Sequence, residues 1–160
     1  LSGITLLTIN LYGLTQTLAP AAITIDDLRF REKDVTMSRE ALLLNLPRQI
    51  NETDQLYAER ITTNIAATLA HIHWLDYHPS QFNQRVPLWE NYILYFMGLF
   101  SGIPEFERYH FSSPEKSIER GIGICGDASI LLSQLLSRQG INNKIVTFPG
   151  HVVVEADYGS

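Results

Sequence analysis

The sequence has one cysteine and no cluster of basic residues, and each of these shortages excludes a class of protein. Cys125 is the only cysteine among 160 residues, which excludes an internal disulfide framework and a zinc site with several thiolate ligands. Lysine and arginine are scattered and the net charge is −5, whereas proteins that bind nucleic acids carry clustered basic side chains. A hydrophobic fraction of 45% predicts either one domain with a substantial core or a smaller domain with a hydrophobic extension.

Charged residues are also missing from the first 25 positions. About 20 apolar residues would span a bilayer, but five threonines, Asn10 and Gln16 weaken that interpretation. Residues 1–25 are therefore either a membrane anchor or a helix that is buried or covered by a partner. Charge begins at Asp26, which we take as the start of a domain over residues 26–160. A membrane-associated, an extracytoplasmic and a cytoplasmic location all stay open.

The middle of the chain has helical patterns. Residues 37–46 predict a short helix, and Asn51, Thr53 and Asp54 are good N-cap choices for a long helix that reaches about Leu75. That helix would carry His71 and His73 on different faces, where the two could not chelate one metal ion. The aromatic segment 88–100 predicts a core helix. The apolar positions of the long helix recur at helical spacing: Leu56, Ile61, Ile65, Leu69 and Ile72.

The last third of the chain has the clearest pattern. An apolar stripe at helical spacing predicts a helix that begins at Cys125 and is followed by Gly140, the glycine expected just after a helix end. The segments KIVTF and HVVVEAD, separated by Pro149-Gly150, predict two antiparallel strands. Helices followed by a sheet indicate an α+β fold. The stripe comprises Ala128, Leu131, Leu132, Leu135 and Leu136.

The hexapeptide GIGICG, residues 121–126, matches the glycine loop of dinucleotide-binding proteins. That function requires a strand before the glycines and an acidic residue about 20 positions after them. Here the preceding segment PEKSIER is charged and predicts a helix, and residues 141–148 contain no acid. Nucleotide binding is therefore disfavoured.

The same hexapeptide suits a nucleophilic cysteine. A thiolate is the reactive form of cysteine, and the free N–H groups and dipole of a helix N-terminus stabilise it. Cys125 would lie at such a position, with glycines that leave backbone N–H groups open to an oxyanion. His151, at the start of a strand, could supply the base of a thiolate–imidazolium pair. The competing interpretation is an inert buried cysteine.

The run from Glu119 to Ala156 resembles the core of the transglutaminase-like superfamily of papain-fold cysteine enzymes. The shared features are the Gly-x-Cys turn at residues 123–125, the Leu135-Leu136 pair, the Gly140-Ile141 step, and a strand that ends before His151 and Glu155. The resemblance implies a papain-like α+β core, with the cysteine helix packed on an antiparallel sheet. It also implies that Cys125 is the nucleophile and His151 the general base.

The resemblance further implies an Asp or Asn that orients the histidine, on the strand after the histidine strand. Glu155 and Asp157 lie about 13 Å and 20 Å along a strand from His151, too far for a hydrogen bond. Either the acid lies beyond Ser160, or another segment supplies it, or the site is degenerate. We favour the first alternative, in a domain truncated here at its C-terminus. Asp127 fits a first-turn residue that favours the helix dipole better than a catalytic acid.

The function that follows is acyl transfer or hydrolysis at an amide bond of a protein or peptide. Sequence cannot separate hydrolysis from transfer. The alternative is a catalytically inactive binding or scaffold domain, which residues 1–25 could associate with a membrane. The pattern predicts no cofactor, and metal binding is disfavoured because Cys125 and His151 lack further ligands at recognised spacing.

Overall fold

The computed structural model describes residues 3–158 and shows a mixed α+β fold. Residues 3–120 contain six α-helices joined by loops, and a seventh α-helix followed by an antiparallel hairpin forms most of the rest. The α-helices within residues 3–158 are α1 (Gly3–Gly13), α2 (Arg39–Leu44), α3 (Asp54–Thr68), α4 (Tyr92–Phe100), α5 (Pro104–Glu107), α6 (Pro114–Arg120) and α7 (Cys125–Arg138). The strands are β1 (Ala70–His71), β2 (Ile122–Gly123), β3 (Asn142–Phe148) and β4 (His151–Asp157).

The predicted C-terminal unit is confirmed. Helix α7 begins at Cys125 and ends before Gly140, whose φ of 75° is the left-handed conformation expected there. Strands β3 and β4 pair antiparallel, from Asn142 opposite Asp157 to Phe148 opposite His151. The apolar stripe of α7 packs both on this hairpin and on α3, which places the main core between the two helices. The cysteine helix therefore rests on an antiparallel sheet.

The prediction of a helix reaching Leu75 is wrong. Thr53 caps α3 as expected, accepting a hydrogen bond from Leu56 N, but the helix ends at Thr68. Beyond it, Ala70 N donates to Gly121 O at 2.9 Å, and β1 pairs parallel with β2. These partners lie about 50 residues away along the chain, so helical periodicity could not reveal them. His71 and His73 consequently lie outside the helix.

The prediction that residues 88–100 form a core helix is also wrong in part. The helix forms over Tyr92–Phe100, and the Asn91 side chain caps it by accepting from Leu94 N. Gly98 is its only buried residue among those described, and Phe100 is 79% exposed. Helix α4 packs against the short α5 and not between α3 and α7, so its apolar composition does not correspond to burial.

The uncharged N-terminal segment begins with α1, which has no buried residue in the described part of the chain. Leu18, which follows it, is fully buried against Val86 and Phe111. The carboxylate of Glu119 accepts hydrogen bonds from Leu18 N and the Thr17 hydroxyl, both at 2.9 Å. Within residues 3–158, no helix has both the length and the apolar character that crossing a membrane would require. The domain boundary at residue 25 stays a prediction.

An ion pair fastens the loop before α3 to that helix. The Arg60 guanidinium donates to both carboxylate oxygens of Glu52, from Nε at 2.6 Å and Nη2 at 2.7 Å. These hydrogen bonds lower the pKa of Glu52 from 4.5 to about 2. Because the folded pKa is depressed, the pair stabilises the fold above about pH 4.5 and that stabilisation is lost as the pH falls towards 2.

We expect Glu52→Gln to lower the free energy of unfolding at pH 7 and to flatten its decline between pH 5 and pH 2. The reason is that glutamine retains an acceptor but removes the titrating charge. Urea unfolding at pH 7, 5 and 3 measures the effect. Glu59→Gln is the control, because Glu59 lies on α3 next to Arg60 and its carboxylate accepts a hydrogen bond from the Gln55 amide. Equal pH dependence in the two variants would contradict the assignment.

Candidate active site

A cleft of about 920 Å³ lies between α3, the start of α7 and the start of β4. Cys125 and His151 both line it, although they are 26 positions apart in the chain. This volume lies within the range of about 300–1,000 Å³ that is usual for small-molecule sites. The structure thus brings the two sequence-predicted site residues to one cavity.

Cys125 is the first residue of α7 and is partly buried. The N–H groups in the first turn of a helix have no acceptor within the helix. One backbone donor nearby is occupied, because Ile124 N donates to the Asp127 carboxylate at 3.0 Å. The N–H groups of Cys125 and Gly126 are the ones that remain next to the sulfur, and they are suited to binding an anion.

His151 is the first residue of β4 and is exposed at the mouth of the cleft. One hydrogen bond fixes this end of the strand on the cysteine helix: the Ser129 hydroxyl donates to Val152 O at 3.1 Å. Ser129 lies one turn after Cys125, and Val152 follows His151 directly. The bond therefore couples the two elements at the point where the predicted nucleophile and base are presented.

The glycines of GIGICG have different structural roles. Gly121 ends α6 with a φ of 65°, in the left-handed region where glycine is least strained. Gly123 pairs with His71 in the short parallel sheet, and a Cβ placed on it would lie 2.5 Å from the Asp127 Cβ. At Gly126 the nearest contact for a Cβ would be His110 at 4.0 Å, so this glycine is not required by packing.

A buried charged network supports the turn that carries Cys125. Arg120, whose side chain is fully buried, donates to Asp127 Oδ1 at 3.0 Å and to Tyr109 O at 2.6 Å. His110 Nδ1 lies 2.7 Å from the same Asp127 oxygen. Burial lowers the pKa of Arg120 to about 10, and the Asp127 charge opposes that shift, so the guanidinium stays charged at neutral pH. Asp127 occupies the first turn as predicted, but its partners were not predicted.

The faces of the Arg120 guanidinium are covered by aromatic rings. Its central carbon lies 4.8 Å from the ring centres of Trp74 and of Phe111, distances at which cation–π attraction is appreciable. The His110 ring stacks on Trp74 with 5.2 Å between centres. The network therefore connects the Cys125 turn to the middle of the chain, and no sequence motif indicates it.

His71 and Asp34 form a pair at the cleft that sequence reasoning missed. The Asp34 side chain is fully buried, and its Oδ1 lies 2.7 Å from His71 Nδ1. Its Oδ2 accepts a hydrogen bond from the His71 backbone N–H at 3.2 Å. His71 and His73 both line the cleft. The sequence analysis placed both histidines on a helix and therefore did not predict this pair. Asp34 and His71 are 37 positions apart, so no local pattern connects them.

No aspartate or glutamate among the described residues lines the cleft. Glu155 projects elsewhere and forms an ion pair with Lys144 at 3.0 Å on the neighbouring strand, in agreement with the expectation that it cannot orient His151. Across residues 3–158, no three side chains of His, Cys, Asp or Glu come together as a metal site.

Comparison with known proteins identifies no protein that is related to this chain. No protein-family model matches the chain, and neither a curated protein nor a solved structure is significantly similar to it. What the fold and the site define is therefore an α+β protein with a cysteine and a histidine at one cleft.

Proposed function

We propose that the protein is a thiol enzyme that performs acyl transfer or hydrolysis at an amide bond, with Cys125 as nucleophile and His151 as general base. One observation carries the proposal: the first residue of α7 and the first residue of β4 line the same cleft. A helix N-terminus favours a thiolate, and an imidazole at hydrogen-bond distance from a thiol can take its proton.

The chemistry needs only groups that the chain supplies. The Cys125 thiol gives its proton to His151, and the sulfur bonds to the amide carbonyl carbon while the N–H groups of Cys125 and Gly126 hold the oxyanion. The C–N bond then breaks, and the imidazolium returns the proton to the departing amine. The resulting thioester passes its acyl group to water in hydrolysis or to a second amine in transfer, which regenerates the thiol.

The papain-like core and the transglutaminase-like resemblance are parts of the same proposal. They are supported by the order of elements, in which a cysteine helix is followed by a strand and then by a strand that opens on histidine. The packing of α7 on the β3–β4 hairpin also fits. The acid that the resemblance requires beside His151 stays a prediction.

The test is the rate at which iodoacetamide alkylates Cys125 between pH 5 and pH 9. We expect Cys125 at pH 6.5 to react about tenfold faster than N-acetylcysteine, because an ordinary thiol is only about 1% ionised there. We expect His151→Gln to bring the profile back to that of the ordinary thiol. Mass spectrometry of the single cysteine gives the rate directly.

His73→Gln is the matched control, since His73 also lines the cleft but is not the proposed base. It should leave the profile unchanged. If the wild-type profile is that of an ordinary thiol and His151→Gln changes nothing, the pair is not formed. The alternative of an inactive binding or scaffold domain would then be preferred.

A further inference from the structure

The cleft has an uneven distribution of charge. The chain contains 17 acidic residues and has a net charge of −5, yet none of the acidic residues in the described part of the chain lines the cleft. The ionisable residues that line the cleft are Cys125, Arg29, His71, His73 and His151. The site is therefore locally basic in an acidic protein.

The Asp34 carboxylate lies behind His71 and does not line the cleft. Asp34 has a fully buried side chain, and both of its oxygens are used by His71, one by the ring and one by the backbone N–H. His71 lines the cleft and Asp34 does not. A bound anion would consequently meet the imidazole of His71 and not the carboxylate behind it.

Arg29 lies at the edge of the cleft next to His71. Its backbone N–H donates to His71 O at 2.8 Å, which holds this part of the loop against β1. Its exposed guanidinium lies over the ring of the adjacent Phe30, with 5.3 Å between the central carbon and the ring centre. Arg29 takes part in none of the ion pairs found within residues 3–158, whereas Arg31 in the same loop pairs with Asp26 at 3.2 Å. Its donors are thus free for a ligand.

Arginine without a protein partner binds carboxylates well, because its planar fork offers two parallel N–H donors. Another part of the cleft wall is apolar and includes Ile65, Ala66, Leu132 and Val154. We propose that the acyl group accepted by Cys125 carries a carboxylate, which Arg29 binds while its aliphatic portion rests on the apolar wall. This inference rests on the function proposed above, of which it names the substrate class.

The experiment compares two alkylating probes of Cys125, iodoacetate and iodoacetamide, which differ in charge. We expect Arg29→Met to reduce the rate with iodoacetate about three- to tenfold at low salt, as the loss of one nearby charge predicts. The rate with iodoacetamide should not change. The effect should shrink in 0.5 M NaCl, because salt screens exposed charges. Methionine keeps an unbranched side chain and the backbone N–H that bonds to His71.

Arg31→Met is the matched control, because Arg31 lies two positions away, does not line the cleft and already has a partner. It should leave the ratio of the two rates unchanged. If Arg29→Met also leaves the ratio unchanged, or alters it no more than Arg31→Met does, the substrate inference is overturned. Failure of the proposed function has a different signature, since the iodoacetamide profile would then be that of an ordinary thiol.

A protection assay identifies where the carboxylate lies in the substrate. Cys125 is alkylated with iodoacetamide in the presence of acetyl-glutamate amide, acetyl-alanine or acetyl-glutamine amide. Protection by acetyl-glutamate amide supports the proposal, because a side-chain carboxylate belongs to the acyl group, and Arg29→Met should remove that protection. Protection by acetyl-alanine alone would contradict the proposal, because a chain-terminal carboxylate belongs to the departing amine. Equal protection by the neutral glutamine compound, or no protection by either acid, would contradict the proposal.

Discussion

Replacing Asp127 with alanine is expected to lower the free energy of unfolding by about 3–5 kcal/mol, the usual cost of removing one partner from a buried ion pair. Arg120 is the reason, since its fully buried guanidinium would keep its charge but lose Asp127, which lies 3.0 Å away. Ile124 N and His110 would lose their acceptor in the same change. Because domains are stable by only about 5–15 kcal/mol, the variant should be close to unfolding at 37 °C.

Glu155→Ala is a control that removes an exposed ion pair with the same distance between nitrogen and oxygen. The Lys144–Glu155 pair also has 3.0 Å between nitrogen and oxygen, but its side chains are 67% and 62% exposed. Exposed pairs contribute less than about 1 kcal/mol, so this variant should unfold almost like the wild type. Urea denaturation monitored by tryptophan fluorescence compares the two. Similar losses in both variants would show that the Arg120–Asp127 pair does not support the fold as we argue.

Replacing Gly123 with alanine is the second change with a large expected effect. Its Cβ would lie 2.5 Å from the Asp127 Cβ and 2.9 Å from the Asp127 carboxyl carbon, so the turn before Cys125 or the capping carboxylate must move. Overpacking of this kind costs about 1–3 kcal/mol. We also expect the rapid alkylation of Cys125 at pH 6.5 to be lost, because the displaced turn carries the sulfur.

Gly126→Ala provides the control from the other side of the same cysteine. An added Cβ there meets only His110 at 4.0 Å, an ordinary contact, and alanine favours a helix over glycine by about 1 kcal/mol. This variant should be as stable as the wild type or more so. Thermal unfolding and the iodoacetamide rate measure both variants. A tolerated Gly123→Ala together with a damaging Gly126→Ala would reverse the roles assigned to the glycines.

The C-terminal third was predictable because its signals are local. The apolar stripe from Ala128 to Leu136 fixes the buried side of α7, and the Pro149-Gly150 break lies between strands that pair directly with each other. Within such a unit, neighbours in sequence are also neighbours in space. The position of Cys125 at a helix start and of His151 at a strand start followed from the same local patterns.

The errors in the middle of the chain have the opposite cause. Apolar residues at 69 and 72 continue the periodicity of α3, but the backbone at Ala70 hydrogen-bonds to Gly121 and leaves the helix. The apolar composition of α4 predicts burial, yet the helix packs mainly against the short α5, and only Leu94 of its residues joins the cluster around Leu18. In both places contacts between distant parts of the chain decided the outcome, and these contacts leave no pattern in a short window.

The sequence by itself determined the α+β class, the cysteine helix, the hairpin and two candidate residues, because each depends on side-chain spacing within about 20 positions. Only the tertiary structure decided what surrounds Cys125. Asp34 reaches His71 across 37 positions, and Arg120 and His110 converge on Asp127. A buried charge is costly unless it is paired. The partner can come from any part of the chain, so its identity depends on how the whole domain packs.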